Sequence, residues 1–218
     1  EAASDWSHVL EDPRLQVITI APEIGGAMPL IKTLSGRGVI VSLGHTNATF
    51  AEALRAASAG ARHTTHTYNA MRPLHHREAG TVGFALSEPS VSCELIYDRY
   101  HVCREAAGIL IGAKPVDKLI AISDGTMAAG LPAGNELSMW DVPTVVGEGT
   151  VRLLDGTLAG SAITMLDAFR NLATDFSLEV AIRACCLNPR VDLGLTRVRR
   201  WIEMSKDLEI VAIHHVAD

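Results

Sequence analysis

Five short apolar runs, separated by helical patterns, constrain the fold of this chain more than any other feature. The runs are rich in β-branched residues and nearly continuous, which is typical of strands buried on both faces of a parallel sheet. They lie at residues 15–21, 38–44, 62–65, 91–97 and 118–123, and helical patterns lie at 47–59, 101–113, 161–173 and 178–187. Regular alternation of strand and helix predicts an α/β protein, either a βα barrel or a doubly wound sheet.

Composition narrows the class of protein. The chain has 218 residues, of which 48% are hydrophobic, and a net charge of -6 without a basic stripe carrying aromatics. These values predict a globular protein with no nucleic-acid partner. No apolar run reaches membrane-spanning length, so we expect no membrane partner either. The first residues lack a signal-peptide pattern, and the four cysteines contain no C-x-x-C pair. We therefore expect reduced thiols and a cytoplasmic location.

Two regions depart from the alternating pattern. Residues 135–157 contain short β-like pieces with Pro143, Gly147 and Gly149, which predicts a β-hairpin excursion after the fifth strand. Residues 207–216 alternate like one strand of an antiparallel sheet, and no partner strand is evident nearby.

A polar residue follows each of the five apolar runs: Glu23, His45, His66, Asp98 and Asp124. In a parallel barrel these positions share one rim, where active sites lie. His45 and His66 would stand on adjacent strands, within reach of one zinc-like ion that keeps a position open for water. Asp124 would face the same mouth as a general base, and then as an acid toward a leaving amine.

The structural alternative remains open for each residue taken alone. A single histidine after a strand is more often a satisfied structural residue than a ligand, whereas two histidines and an aspartate at equivalent positions favour a metal site. Glu23 is left open between a metal ligand and a cap or rim salt-bridge residue. His75 and His76 lie beside Arg77 in a loop, which favours surface or substrate contacts.

Several motifs, in a fixed order, resemble one enzyme family. The segments are ITIAPE at 18–23, SLGHTNAT at 42–49, THTYNAM at 65–71, HREAG at 76–80, DRYHV at 98–102, ISDGTMAAG at 122–130 and LAGSAITM at 158–165. Together they resemble the N-acetylglucosamine-6-phosphate deacetylases of the amidohydrolase superfamily. The resemblance runs from residue 18 to about residue 195.

The resemblance implies a fold and an activity. The fold is the (β/α)8 TIM barrel of the metal-dependent amidohydrolases, with only the later strands and helices present. On this interpretation residues 1–200 are a partial barrel and residues 201–218 a C-terminal strand of a small β-sandwich domain. The implied activity is deacetylation of N-acetylglucosamine 6-phosphate by a homodimer that uses one divalent ion, zinc first, with iron, manganese or cobalt as alternatives.

The resemblance also assigns roles to residues. His45 and His66 match the metal ligands, and Asp124 matches the aspartate that activates water and protonates the amine. Asn69 and Ala70 match the turn that holds the sugar phosphate, with Arg77 as its guanidinium partner. His101 matches a histidine that contacts substrate, and a backbone loop that closes over the acetyl end is matched by Leu158, Ala159 and Gly160.

Two departures limit the resemblance. The family's metal-binding glutamate lies in a segment with no match here, so Glu23 does not inherit that role. Arg99 stands where the family has glycine, close to the expected pocket. We favour the explanation that upstream sequence lies outside this chain. The alternatives are a truncated sugar-phosphate-binding relative that no longer catalyses, and an amidohydrolase acting on another amide.

Overall fold

The computed structural model describes residues 6–195 and 197–216. Its centre is a five-stranded parallel sheet in which the strands follow one another in chain order. The strands are β1 Val17–Ile20, β2 Ile40–Leu43, β3 His63–Thr64, β4 Ser92–Ile96 and β5 Leu119–Ile122. All five predicted strands and the α/β class are therefore confirmed.

Eight α-helices accompany the sheet in the described residues. They are α1 Ser7–Leu10, α2 Ala27–Gly36, α3 Phe50–Ser58, α4 Gly80–Ser87, α5 Arg104–Ala113, α6 Met165–Asp175, α7 Leu178–Ile182 and α8 Asn188–Asp192. The last predicted helix continues from α7 through a π-helical turn, Arg183–Leu187, into α8. Helix α3 begins after Thr49, which forms a capping box with Glu52. Helices α2 and α4 have no counterpart in the sequence prediction.

The two faces of the sheet differ in chemistry. One face packs on the helices in two apolar clusters, which include Val41, Leu43, Ile31, Leu34 and Phe84 in one and Leu95, Tyr97, Leu110 and Leu172 in the other. The opposite face carries hydroxyl groups: Thr19 Oγ1 lies 2.8 Å from Thr65 Oγ1, which donates to Ser42 Oγ at 2.6 Å. Burial on both faces holds for β2 but not for β1, which is partly exposed at the sheet edge.

Residues 136–161 form a four-stranded antiparallel sheet rather than the predicted hairpin. Its strands are β6 Glu136–Met139, β7 Val142–Val146, β8 Thr150–Leu153 and β9 Leu158–Ser161. The prediction of a single hairpin missed two strands. Each strand spans only four or five residues and therefore shows little of the period-2 pattern. Val146, Val151 and Met139 are buried and give this sheet its own small core.

The C-terminal region is a hairpin rather than an unpaired strand. Strand β10, Arg200–Met204, pairs antiparallel with β11, Ile210–His215. The Trp201 and His214 rings stack across the pair with centroids 5.1 Å apart, and His214 Nε2 lies 2.8 Å from Glu203 Oε2. The sequence prediction did not include strand β10, because Arg197, Arg199 and Arg200 make its start look like a solvated basic segment. No helix in the described part of the chain is long and apolar enough to span a bilayer.

Candidate active site

Four of the five predicted rim residues occupy the same position relative to their strands. His45, His66, Asp98 and Asp124 each lie two residues past the end of β2, β3, β4 and β5. The ends of β2 and β3 are level because Leu43 pairs with Thr64, and the ends of β4 and β5 are level because Ile96 pairs with Ile122. Between the two pairs Thr64 is opposite Cys93, so β4 runs three residues further than β3. Parallel strands thus bring these side chains to one edge of the sheet, as the sequence predicted.

The backbone is strained at this edge. His45, His66 and Asp124 have φ angles of 47°, 33° and 45°, in the left-handed region that favours glycine. Such a conformation costs about 1 kcal/mol or more for a residue with a Cβ, and it concentrates at functional sites. Three strained residues at the same step after their strands indicate a shared role for their side chains.

The two histidines meet through their ring nitrogens. His45 Nε2 and His66 Nε2 are 2.8 Å apart, and the rings cross at 76°. One nitrogen must donate and the other accept, so at least one ring is neutral. His66 is only 5% exposed and its Nδ1 has no hydrogen-bond partner among the described residues, whereas His45 is exposed. Neither ring pairs with a carboxylate in the described residues.

This donor pair fits two ligands of a zinc-type ion. Tetrahedral zinc with Zn–N bonds of about 2.0–2.1 Å places two ligand nitrogens roughly 3.3 Å apart. The 2.8 Å separation therefore requires the rings to open by only a few tenths of an ångström. No group of three or more His, Cys, Asp or Glu side chains in the described part could hold a metal.

Glu23 lies beside this pair as a rim residue. Its carboxylate accepts hydrogen bonds from Thr46 Oγ1 at 2.5 Å and from the Asn47 backbone N–H at 2.6 Å. These contacts make Glu23 a hydrogen-bond partner of the segment after His45 rather than a helix cap, since Gly26 and Thr49 are the N-caps of α2 and α3. Its oxygens fix the segment that follows His45.

The turn after His66 is joined to the segment after His45. The Thr46 N–H donates to Ala70 O at 2.9 Å, and the Arg72 N–H donates to Thr46 O at 3.0 Å. Asn69 donates to His66 O through its backbone N–H at 2.9 Å and its Nδ2 at 3.3 Å. An open cleft of about 420 Å³ results, lined by His45, Thr46, Asn47, Ala70, Met71, Arg72 and Pro73.

Arg72, which the sequence prediction did not select, lines this cleft in place of Arg77. Arg72 Nε donates to Asn47 O at 2.7 Å, and its Nη1 lies 3.3 Å from Glu78 Oε2. Arg77 is exposed outside the cleft, and its guanidinium has no partner in the described residues. Arg72 directly follows the THTYNAM motif, and this position is the sequence signal that could have identified it.

Asp98 and His101 form a buried pair after β4. Asp98 Oδ1 accepts the N–H groups of Tyr100 and His101 at 2.8 Å each, and Oδ2 lies 2.6 Å from His101 Nδ1. Burial opposes ionisation of Asp98, but the hydrogen bonds from the His101 ring and the two N–H groups outweigh it and lower the pKa of the carboxyl. An ionised Asp98 holds the proton of His101 on Nδ1 and leaves Nε2 free.

Asp124 is exposed, and its side chain makes no hydrogen bond within the described residues. The next residues join β9: Gly125 bridges to Ser161, and the Thr126 N–H donates to Ser161 O at 3.1 Å. Leu158, Ala159 and Gly160 thus belong to strand β9, not to the predicted loop, because they pair with β8. A Cβ on Gly160 would lie 2.5 Å from Thr126 Cγ2, so only glycine permits this approach.

The fold and the rim define the class: an α/β protein whose polar groups gather at the carboxyl ends of parallel strands. No protein-family model matches the chain. It is 37% identical over 198 residues to the N-acetylglucosamine-6-phosphate deacetylase of Lysinibacillus sphaericus, covering 90% of this chain and 51% of that protein. It is 36% identical over 201 residues to the N-acetylgalactosamine-6-phosphate deacetylase of Escherichia coli O157:H7, covering 91% and 53%.

Solved structures agree with these matches. The N-acetylglucosamine-6-phosphate deacetylase of Thermotoga maritima superposes with a TM-score of 0.87 at 30% identity, over 98% of this chain and 61% of that one. A variant of the Mycobacterium smegmatis enzyme in complex with N-acetyl-D-glucosamine-6-phosphate superposes with a TM-score of 0.84 at 30% identity, over 92% and 56%. The chain belongs to the N-acetylglucosamine-6-phosphate deacetylase family. It spans about half the length of the relatives it matches.

Proposed function

We propose that this chain takes part in the metal-dependent deacetylation of N-acetylglucosamine 6-phosphate. Water cleaves the amide bond, giving glucosamine 6-phosphate and acetate. The observation that carries the proposal is the 2.8 Å approach of His45 Nε2 and His66 Nε2 at the rim that also bears Asp124. His45 and His66 would hold one divalent ion, zinc first and iron, manganese or cobalt next. When bound, such an ion supplies Lewis acidity toward the amide carbonyl and a water of lowered pKa.

Asp124 is the proton carrier of the proposal. A general base must reach the water with an unoccupied oxygen, and Asp124 is exposed with no hydrogen-bond partner in the described residues. Its carboxylate takes a proton from the attacking water and then gives it to the departing amine nitrogen. Proton number is conserved across the two steps, so the carboxylate is regenerated.

The remaining site residues hold the two ends of the sugar. Asp98 fixes the His101 ring with Nε2 free for a substrate oxygen. The turn at Asn69 and Ala70 would take the phosphate. The guanidinium of Arg77, which has no partner within the described part of the chain, suits bidentate binding of phosphate oxygens, and a homodimer could bring it to a neighbouring site. Strand β9, with Leu158, Ala159 and Gly160, would close over the acetyl end.

The architecture belongs to the same proposal. Parallel strands in strict chain order are the pattern of a (β/α)8 barrel, so we assign β1–β5 to its later strands. Residues 1–200 would form this partial barrel, and residues 201–218 would belong to a small β-sandwich domain through the β10–β11 hairpin. The four free cysteines fit a reducing cytoplasm.

The test is acetate release by the purified protein from N-acetylglucosamine 6-phosphate and, in parallel, from N-acetylgalactosamine 6-phosphate, because relatives with either name match. We expect turnover of the gluco compound and loss of turnover with a chelator. Arg77→Ala should raise KM about tenfold or more with little change in kcat, since phosphate binding is lost. The control is Arg62→Ala, another exposed arginine without a side-chain partner in the described residues.

Two other results would each contradict a different part of the proposal. Substrate binding without acetate release, with zinc, iron, manganese and cobalt each supplied, would favour the sugar-phosphate-binding alternative. An unchanged KM in Arg77→Ala would remove the phosphate role of that residue alone.

A further inference from the structure

Arg99 occupies a backbone conformation that suits glycine. Its φ is 70°, and it lies in the turn between Asp98 and His101. A non-glycine residue there is strained by about 1 kcal/mol or more. Contacts made by the side chain must offset this strain, and they show what the residue does.

The Arg99 side chain reaches the C-terminal end of helix α6. Its Nε donates to Asp175 Oδ2 at 2.7 Å and its Nη2 donates to Asp175 Oδ1 at 2.8 Å, a bidentate pair. The Tyr97 hydroxyl donates to the same Oδ2 at 2.8 Å. One carboxylate therefore holds the residues on both sides of Asp98.

The ionisation of these groups is consistent with a tight cluster. The Arg99 guanidinium holds the pKa of the Asp175 carboxyl below its usual value, although burial opposes this. Burial, together with Asp175, raises the pKa of the Tyr97 hydroxyl. The carboxylate therefore stays ionised and the phenol stays a donor around neutral pH.

Two further contacts join the same segment to α6. Asn171 Nδ2 donates to Tyr97 O at 3.1 Å, and Arg104 Nη2 donates to Asp175 O at 3.1 Å. The Asp98 side chain itself has no exposed surface, and its only side-chain partner in the described residues is His101. The position of the His101 ring thus depends on how firmly residues 97–104 are fixed to α6.

We propose that Arg99 and Asp175 form a clamp that positions the Asp98–His101 pair, so that the His101 ring keeps one orientation toward the sugar. The inference rests on the proposed function only in giving His101 a substrate. Arg99 and Asp175 are positioning residues, because they act through Asp98.

Direct binding of phosphate by Arg99 is the competing explanation, and the surroundings disfavour it. The guanidinium charge is balanced by Asp175 at 2.7 Å. The adjoining cavity of about 470 Å³ is also lined by Asp98, Glu148 and Asp167. An anion would meet the carboxylates of Glu148 and Asp167 there, so positioning explains Arg99 better than anion binding.

The test uses Arg99→Gly, which accepts the left-handed φ and removes only the clamp. Asp175→Asn is the second variant, and Arg99→Lys keeps the charge without the bidentate geometry. The control is Arg14→Gly, which removes the bidentate Arg14–Asp12 pair far from the rim. Each protein is studied by nitrogen-15 NMR of its imidazole rings and by kcat and KM for both hexosamine phosphates.

We expect the parent and the control to show one Nδ1–H tautomer for His101. Arg99→Gly and Asp175→Asn should show a mixture of tautomers and a kcat about tenfold lower with little change in KM, and Arg99→Lys should lie between. An unchanged His101 spectrum in Arg99→Gly overturns the clamp, whether or not the protein is active. Absence of acetate release from the parent protein bears on the proposed function alone, because the spectrum still tests the clamp.

Discussion

Two buried histidines lie three positions apart at β3, and they are built in opposite ways. His63, at the start of the strand, is 4% exposed and faces two carboxylates: its Nε2 lies 2.8 Å from Asp192 Oδ2 and its Nδ1 lies 3.7 Å from Glu94 Oε1. His66, just past the end of the strand, is 5% exposed and faces the ring of His45. His63 therefore faces the counter-charges that a protonated ring needs. His66 faces no carboxylate within the described residues.

The backbone repeats the contrast. His63 lies in regular strand geometry, whereas His66 has a φ of 33°. Structural histidines in an interior are stabilised by partners that the fold itself supplies. A strained histidine pair with two facing ring nitrogens, and with no carboxylate partner within the described residues, is instead suited to an added cation. The histidine at the start of β3 therefore contributes to stability, whereas the one just past its end is suited to function.

The contacts of His63 with its two carboxylates are ion pairs. The Nε2–Oδ2 contact with Asp192, at 2.8 Å, is the shorter of the two. The attraction joins β3 to β4 and to α8, three elements far apart in sequence. It contributes to the fold at the end of the sheet that is away from the rim.

The largest effect should come from the rim carboxylate. Asp124→Asn should lower turnover about 10³-fold, because a general base contributes roughly 10²–10⁴-fold, and should leave metal content unchanged. Asp192→Asn is the matched control at the other end of the sheet and should retain turnover. Equal activity of the Asp124 variant and the parent would remove its assigned role.

Stability should respond in the reverse order. Asp192→Asn leaves the charge of His63 with a single carboxylate and should lower the free energy of unfolding by roughly 2 kcal/mol, between the values for exposed and for buried pairs. Urea unfolding monitored by circular dichroism measures this. Asp207→Asn, in an exposed turn, should change the midpoint by less than about 0.5 kcal/mol. A similar loss of unfolding free energy in both variants would show that Asp192 contributes no more to stability than an exposed aspartate.

The same pair sets a pH dependence. Burial opposes a charge on His63, but Asp192 and Glu94 outweigh it and raise its pKa above 6.5. This stabilisation is complete below pH 6.5 and is lost as the pH rises through the raised pKa. The pKa of Asp192 is lowered from 3.8: burial opposes the shift, and His63 outweighs burial. Its contribution persists above pH 3.8 and is lost as the pH falls through the lowered value.

The difference in unfolding free energy between the parent and Asp192→Asn should therefore be largest between about pH 4 and pH 6.5 and should shrink in alkali. Urea titrations across the pH range measure it. A difference that grows above pH 8 would mean that His63 is neutral in the fold.

The smallest predicted effect tests the strain at the rim. Ala70 has a φ of 47°, so Ala70→Gly should raise the free energy of unfolding by about 0.5–1 kcal/mol by relieving that strain. Ala57→Gly, in helix α3 with ordinary geometry, should lower it by about 1 kcal/mol. Destabilisation by both changes would show that the rim backbone is unstrained.

The rim could be predicted because strands are recognised from the local sequence pattern. Runs rich in valine and isoleucine predict buried strands, and parallel pairing then places His45 beside His66. The sequence prediction did not include helix α2, because Pro29 lies in its first turn and Gly25 and Gly26 precede it, nor helix α4, which begins at Gly80.

Contacts between distant segments could not be predicted from pattern. Glu94 and Asp192 meet His63 only after the sheet and α8 pack together, and Asp175 meets Arg99 only at the end of α6. Arg72 lies outside the motifs, and its place at the cleft depends on the backbone hydrogen bond that its N–H donates to Thr46 O.

The most direct test of the account is metal content after dialysis against zinc, compared among the parent, His66→Ala and His63→Gln. We predict that His66→Ala loses most of the bound zinc while His63→Gln retains it and is only less stable. Zinc bound equally by His66→Ala and the parent, with both proteins folded, would contradict the claim that the rim histidines are the metal ligands.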